Sequence, residues 1–163
     1  MKPDQSSNSR FEDAVQELRD IEAIKQLKAT YCYLVDERRW DELAQLMTVD
    51  AEGDYGFGAV FQGRDTIMRS FFHPVPASYF FLHVLHNAVV KVNGDSATGQ
   101  WYTTVPSAVG NQAVWIMGRY RDEFRRVDGE WRIKSVKMDY YCVAPYEEGW
   151  GKQRIDAKLI GKT

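Results

Sequence analysis

Tyr79-Phe80-Phe81-Leu82-His83-Val84-Leu85-His86-Asn87-Ala88-Val89-Val90-Lys91-Val92 carries no helical period and stops at Asn93-Gly94-Asp95, a tight-turn signal. Read as one long strand, it would place Phe81, Leu85 and Val89 on one face and Leu82, Val84, Ala88, Val90 and Val92 on the other. Both faces are then largely apolar, so each needs a cover. Helices can supply one cover, and a second subunit is the simplest source of the other, which predicts a homo-oligomer, dimer or trimer. A further turn at Asp128-Gly129 gives four long strands over about 79–92, 95–106, 113–127 and 130–142. In the last, the apolar parity switches from Trp131 and Ile133 to Val136, Met138 and Tyr140, which predicts a β-bulge near Lys134-Ser135 and a bent sheet.

Upstream the period changes to three and four. Phe11, Val15, Leu18, Ile21, Ile24, Leu27, Tyr31 and Leu34 form one long helical stripe, preceded by a polar stretch, Asp4 to Ser9, expected to be frayed or disordered. A short second helix is expected over 40–47, ending within Thr48 to Asp50. Gly53, Gly56 and Gly58 then mark a hairpin between two short strands, and a third helix over 66–72 stops at His73-Pro74. Helices first and strands after predict an α+β fold: a cone-shaped barrel, its strongly bent mixed sheet carrying helices on the concave face. No linker or repeat divides the chain, so 1–163 reads as a single domain with a C-terminal tail from 145.

The 163 residues are 44% hydrophobic and 27% charged, with a formal charge of −2, which argues for a globular protein and against nucleic acid as a partner. No apolar run approaches the ~20 residues of a membrane span, and Met1 to Arg10 lacks the plan of a signal peptide, so no membrane is expected as a partner and a cytoplasmic location is expected. Cys32 and Cys142 are flanked by apolar and aromatic residues and read as buried thiols. Three histidines without a cluster at ligand spacing argue against a metal site.

Tyr31, Asp36, Trp40, Tyr55 and His83 together have the composition of a cofactor-free acid–base site. Asp36 is placed oddly, since a carboxylate at a helix C-terminus faces the negative end of the macrodipole; it either pairs with Arg38 or Arg39 at the surface or belongs to a site. Tyr31 lies five residues earlier, about 140° away on an ideal helix, and converges with Asp36 only if the helix ends between them. His83 interrupts an apolar strand and needs a partner, while His86 points to the opposite face. Gly118, and Asp122 between charged neighbours, read as structural and solvent-facing.

Asp20-Ile21-Glu22-Ala23-Ile24, Tyr31, Asp36, Trp40-Asp41-Glu42-Leu43, Asp54-Tyr55, His83, Gly94-Asp95-x-Ala97-x-Gly99, Gly118-Arg119-Tyr120-x-Asp122 and Gly129-x-Trp131 resemble the SnoaL-like branch of the nuclear transport factor 2-like superfamily, and within it the bile-acid 7-alpha- and scytalone dehydratases. The resemblance implies an α+β cone with a six-stranded bent sheet and no cofactor. By position it implies His83 as general base, Asp36 and Tyr31 at the end of the first helix and Tyr55 on the first strand as its catalytic companions, and Trp101, Val105 and Tyr140 on the substrate. Val105 and Tyr140 stand where the bile-acid enzyme has an acid and an arginine, which points to a neutral, hydroxylated aromatic or polycyclic small molecule. The expected activity is a lyase, by dehydration or retro-aldol-type carbon–carbon cleavage. An isomerase, or a non-catalytic ligand-binding or accessory subunit, fits the same superfamily; the latter would leave Asp36 more than ~5 Å from the imidazole.

Overall fold

The computed structural model of the protein describes residues 5–155 apart from 57 and 59, with side chains from residue 9 onward. Helix α1 spans Gln5–Asp36, α2 Trp40–Gln45, and β1 Met47–Asp54 pairs antiparallel with β2 Val60–Gln62. A turn of α-helix, α3 at Arg64–Ile67, continues as one wider turn over Met68–Phe72. Strands β3 Phe80–Phe81, β4 Val84–Asn93, β5 Ser96–Val109, β6 Gln112–Val127 and β7 Glu130–Pro145 follow, then a short α4 at Gly149–Lys152. The described strands form one strongly curled sheet in the order β2-β1-β7-β6-β5-β3, with β4 also on β5 and β1 parallel to β7. Helices pack on one face of this half-barrel, the α+β cone read from the sequence.

Details of that reading change. The chain is helical from Gln5, because no Gly or Pro interrupts residues 5–36 and propagation costs little once begun; residues 1–4 lie outside the described residues. The second helix stops at Gln45, and β1 begins two residues later. Among the described residues seven strands replace six, because the stretch 79–92 is two strands on β5, interrupted at Leu82-His83. A bulge between His86 and Val89, with Asn87 at a φ of 52°, then flips the parity. Leu85, Val90 and Val92 consequently share the core side, and Val89 is exposed. The bulge expected near Lys134-Ser135 is present: Glu123 pairs with Ser135 and Phe124 with Ile133, which skips Lys134. Trp131, Ile133, Val136 and Met138 all reach the core as a result.

On α1 the buried face takes in Ile24, Tyr31 and Leu34 of the apolar stripe, with Leu27 packed against the core, but it leaves out Phe11 and Leu18 and adds two polar residues. Asp20, Ile24, Lys28, Tyr31 and Val35 are buried, while Phe11 and Leu18 are more than 60% exposed, because the sheet supplies partners for the two polar members. Asp20 accepts hydrogen bonds from the Trp131 indole at 3.0 Å and from Gln16 at 3.2 Å, and it pairs with Arg126 at 2.7 Å. Burial would raise its carboxyl, but Arg126, Trp131 and Gln16 outweigh burial and hold it below the ordinary 3.8. A depressed carboxyl contributes stability that is present above its unfolded-state pKa and is lost as pH falls through the folded one. D20N is expected to lower the unfolding free energy by about 1.5–3 kcal/mol at neutral pH, read by urea denaturation. That deficit against the wild type should shrink as pH falls below 3.8.

The C-terminal tail expected from residue 145 is described as far as Ile155, which bridges to Val143, and Trp150 packs edge-on against Trp115. These residues fold back along β6 and β7; residues 156–163 lie outside the described residues. Cys32 and Cys142 are buried free thiols, and burial pushes Cys32 up to about 12.

Candidate active site

His83 reaches the concave side by strand parity, sharing its face with Phe81 and Leu85, whereas His86 opposes the exposed Tyr102 on the convex side. The N–H of Leu82 donates to the carbonyl of Pro106, so that of His83 points the other way, off the edge of the sheet. Asp36, the last residue of α1, fills that edge: the His83 N–H donates to its Oδ2 at 2.9 Å, and the His83 Nδ1 lies 2.6 Å from its Oδ1. Both side chains are less than 15% exposed. An ionised carboxylate only accepts, which assigns the proton to Nδ1 and leaves a lone pair on Nε2. Arg38 and Arg39 are engaged elsewhere, Arg39 with Glu37 and Glu42 and Arg38 with a backbone carbonyl.

Tyr31 and Asp36 serve the site from different directions, so their angular separation needs no break in the helix. Tyr31 and His83 line a cavity of about 120 Å³, while Asp36 stands behind the imidazole and outside the lining. The remaining walls come from Val35, Trp40, Phe71, Phe72 and Val75 on the helical side and from Tyr55, Phe81, Val105, Ile116, Tyr120, Met138 and Tyr140 on the strands and the β1–β2 turn. The Tyr31 hydroxyl donates to that of Tyr55 at 3.5 Å, and the Tyr55 ring lies stacked on Phe71 at 3.8 Å. Tyr140 fixes the backbone beneath, its hydroxyl donating to the Tyr55 carbonyl at 2.9 Å. Gly56 permits this approach: at a φ of 77°, a Cβ there would fall 2.5 Å from the Tyr140 ring.

Burial raises the phenol pKa of Tyr31, Tyr55, Tyr120 and Tyr140, so all four stay neutral and able to donate. Among the described residues no Lys, Arg, Asp or Glu lines the cavity. Among the described residues no group of three or more His, Cys, Asp and Glu is placed to hold a metal ion.

Of the residues singled out from sequence, His83, Tyr31, Tyr55, Val105, Tyr140 and Trp40 line the cavity, and Asp36 supports it. Trp101 does not: it is buried edge-on against Phe124, deeper in the cone. Asp122 was expected to face water and is instead fully buried, its carboxylate 2.8 Å from the equally buried Lys28 ammonium. The parity of β6 carries the signal, because Tyr120, Asp122 and Phe124 are two apart and share the inward face. Lys28 lies over the Tyr120 ring at 3.6 Å from its centroid and near that of Tyr31 at 4.4 Å. Burial raises the Asp122 carboxyl, and Lys28 opposes the rise.

This geometry can be set beside known proteins. A structure from Novosphingobium aromaticivorans, provisionally named an aromatic ring hydroxylase, superposes with a TM-score of 0.72 at 28% identity, covering 80% of this chain and 96% of that one. The hexachlorocyclohexane dehydrochlorinase LinA-type3 of Novosphingobium barchaimii superposes at 0.71 with 22% identity, covering 81% and 93%. The uncharacterized protein Rv2910c of Mycobacterium tuberculosis is 32% identical over 124 residues, 74% of this chain and 84% of that protein. The sequence profile of the SnoaL-like domain matches residues 16–137, most of the chain. The chain belongs to the SnoaL-like domain family.

Proposed function

We propose that the chain is a cofactor-free lyase acting on a small, neutral, hydroxylated cyclic compound, with His83 as its base. The observation that carries this reading is the contact of 2.6 Å between Asp36 and the Nδ1 of a histidine that lines a largely apolar cavity. A carboxylate at that distance holds the imidazole in one tautomer and can steady a positive charge on it, as proton transfer requires. The dehydrochlorinase of similar fold is named for an elimination, which supports the same class of chemistry.

In the proposed reaction the Nε2 of His83 takes a proton from the carbon beside the carbinol carbon. The freed electron pair forms the double bond as the C–O bond breaks, and His83 returns its proton to the departing hydroxyl as water. Asp36 holds the imidazole in the productive tautomer and steadies its transient charge. Tyr55, whose hydroxyl accepts from that of Tyr31, donates to the substrate oxygen on which negative charge grows, and Tyr31 strengthens it as a donor. A cavity of about 120 Å³ with no charged lining among the described residues favours a small neutral ligand, because an unpaired buried charge would be costly there.

The test is a panel of hydroxylated cyclic ketones and phenols followed by absorbance and mass spectrometry, with H83A in parallel. Water loss in the wild type that H83A abolishes is the expected result; turnover of equal rate in H83A removes His83 as the base. On a compound so identified, Y55F is expected to lower kcat by about 10²-fold with KM little changed, the behaviour of a lost donor to developing charge. Its thermal transition should stay close to that of the wild type, because the ring that stacks on Phe71 is retained.

A further inference from the structure

Arg38 holds a backbone conformation that its side chain does not favour. Helix α1 closes with the N–H of Arg38 donating to the Val35 carbonyl at 3.2 Å and that of Arg39 donating to the Leu34 carbonyl at 2.9 Å. This pair of bonds caps a helix through one left-handed residue, here Arg38 at a φ of 58°. Glycine or asparagine usually takes that place, and the other two non-glycine residues of positive φ among the described residues are Asn87 and Asp128. An arginine there needs a reason that lies beyond the helix.

Its side chain supplies one. The Nη2 of Arg38 donates to the backbone carbonyl of Tyr79. Four residues on, the N–H of His83 donates to Asp36 at 2.9 Å. Between these points Phe80 and Phe81 pair with Ala108 and Ser107, and Leu82 donates to Pro106. The segment 79–83 therefore lies between β5 and the end of α1, and the helix end grips it at two places, Arg38 at its start and Asp36 at its finish. Strand β3 has only two residues of ladder, so β5 alone is a weak restraint on its angle. Phe81, in the middle of the segment, forms part of the cavity wall.

From this we infer that Arg38 is a positioning residue, which fixes segment 79–83 against α1 so that the His83 ring keeps its Nδ1 on Asp36. The inference deepens the acid–base reading and rests on it. A left-handed residue whose guanidinium holds a neighbouring strand couples the helix cap to the site, and a glycine can replace the cap without the guanidinium.

That separation defines the experiment. R38G retains the favoured capping conformation and removes the grip, R38N does the same should R38G fail to fold, and R38K restores a single donor without the planar fork. Amide exchange measured by NMR is expected to accelerate at least about tenfold at residues 80–83 in R38G, relative to the α1 amides around Ile24, with R38K intermediate. The downfield proton of the His83 Nδ1, identified by its loss in D36N, should broaden or vanish in R38G, and kcat/KM should fall by about 10–10²-fold while the thermal transition moves little. Unchanged exchange at 80–83 overturns the proposal, as does faster exchange with the Nδ1 proton and the rate intact. A wild-type protein without a D36N-sensitive proton counts against the acid–base reading instead, and the exchange at 80–83 still decides whether Arg38 holds the segment.

Discussion

H83A and D36N are expected to lose about 10²–10⁴-fold in kcat, with substrate affinity far less affected. For H83A the reason is direct, since the base is gone. For D36N it is a matter of hydrogen-bond arithmetic. Asp36 faces two donors, the His83 backbone N–H at 2.9 Å and the ring Nδ1 at 2.6 Å, and a carboxylate accepts from both. An asparagine has one acceptor oxygen and one donor amide. With its oxygen on the backbone N–H, its NH₂ faces Nδ1, and the imidazole proton moves to Nε2, where the lone pair was needed. The ring stays in place in the wrong tautomer. Nitrogen chemical shifts of the His83 ring distinguish this from simple loss of the side chain. The double variant H83A/D36N should be no slower than H83A, because the two residues act as one unit. A D36N protein of undiminished rate would show that the carboxylate serves only the backbone at the sheet edge.

The legible part of this site lay where local sequence breaks a local rule. A carboxylate at the wrong end of a helix and a histidine within an apolar strand are each unfavourable alone, and they account for each other once Asp36 meets His83. The bend of β7 was legible for a similar reason, since the parity switch across Lys134 has no other cause than an extra residue. What stayed hidden depends on partners distant in sequence. Lys28 and Asp20 look like the polar side of α1 until β6 and β7 bring Asp122 and Trp131 against them. The bulge at Asn87-Ala88 reversed the assignment of Val89 and Val90, because a stretch that is largely apolar on both faces carries no parity to read. Trp101 was assigned to the substrate by resemblance, but its position on β5 lies deeper in the cone, against Phe124.

Breaking the pair under the cavity is expected to have the largest effect on stability of any single change argued for this chain. Lys28 and Asp122 have fully buried side chains 2.8 Å apart. K28M leaves a carboxylate in an apolar interior, and D122N leaves an ammonium among the aromatic rings of Tyr120, Tyr31 and Trp101 without its counter-charge. Each is expected to cost about 3–5 kcal/mol, because the surviving group keeps its desolvation penalty and loses its counter-charge. For a chain of this size that corresponds to a fall of roughly 10 °C or more in the thermal transition. The pair as such is not worth that much. K28M/D122L, which removes both charges and fills the space with apolar side chains, should recover most of the loss, and replacing such a pair outright is often neutral or stabilising. Urea denaturation of the four proteins as a double-mutant cycle measures this, and single variants as stable as the wild type would mean that water reaches the pair. The double variant also separates the fold from the chemistry. Neither Lys28 nor Asp122 lines the cavity or touches the Asp36–His83 pair. If K28M/D122L folds as expected and keeps its rate, the ion pair orders the base of the cone and nothing more. A rate that falls while stability is recovered would assign the ammonium a part in holding the Tyr31 ring, and through its hydroxyl the donor to Tyr55, at the wall of the cavity.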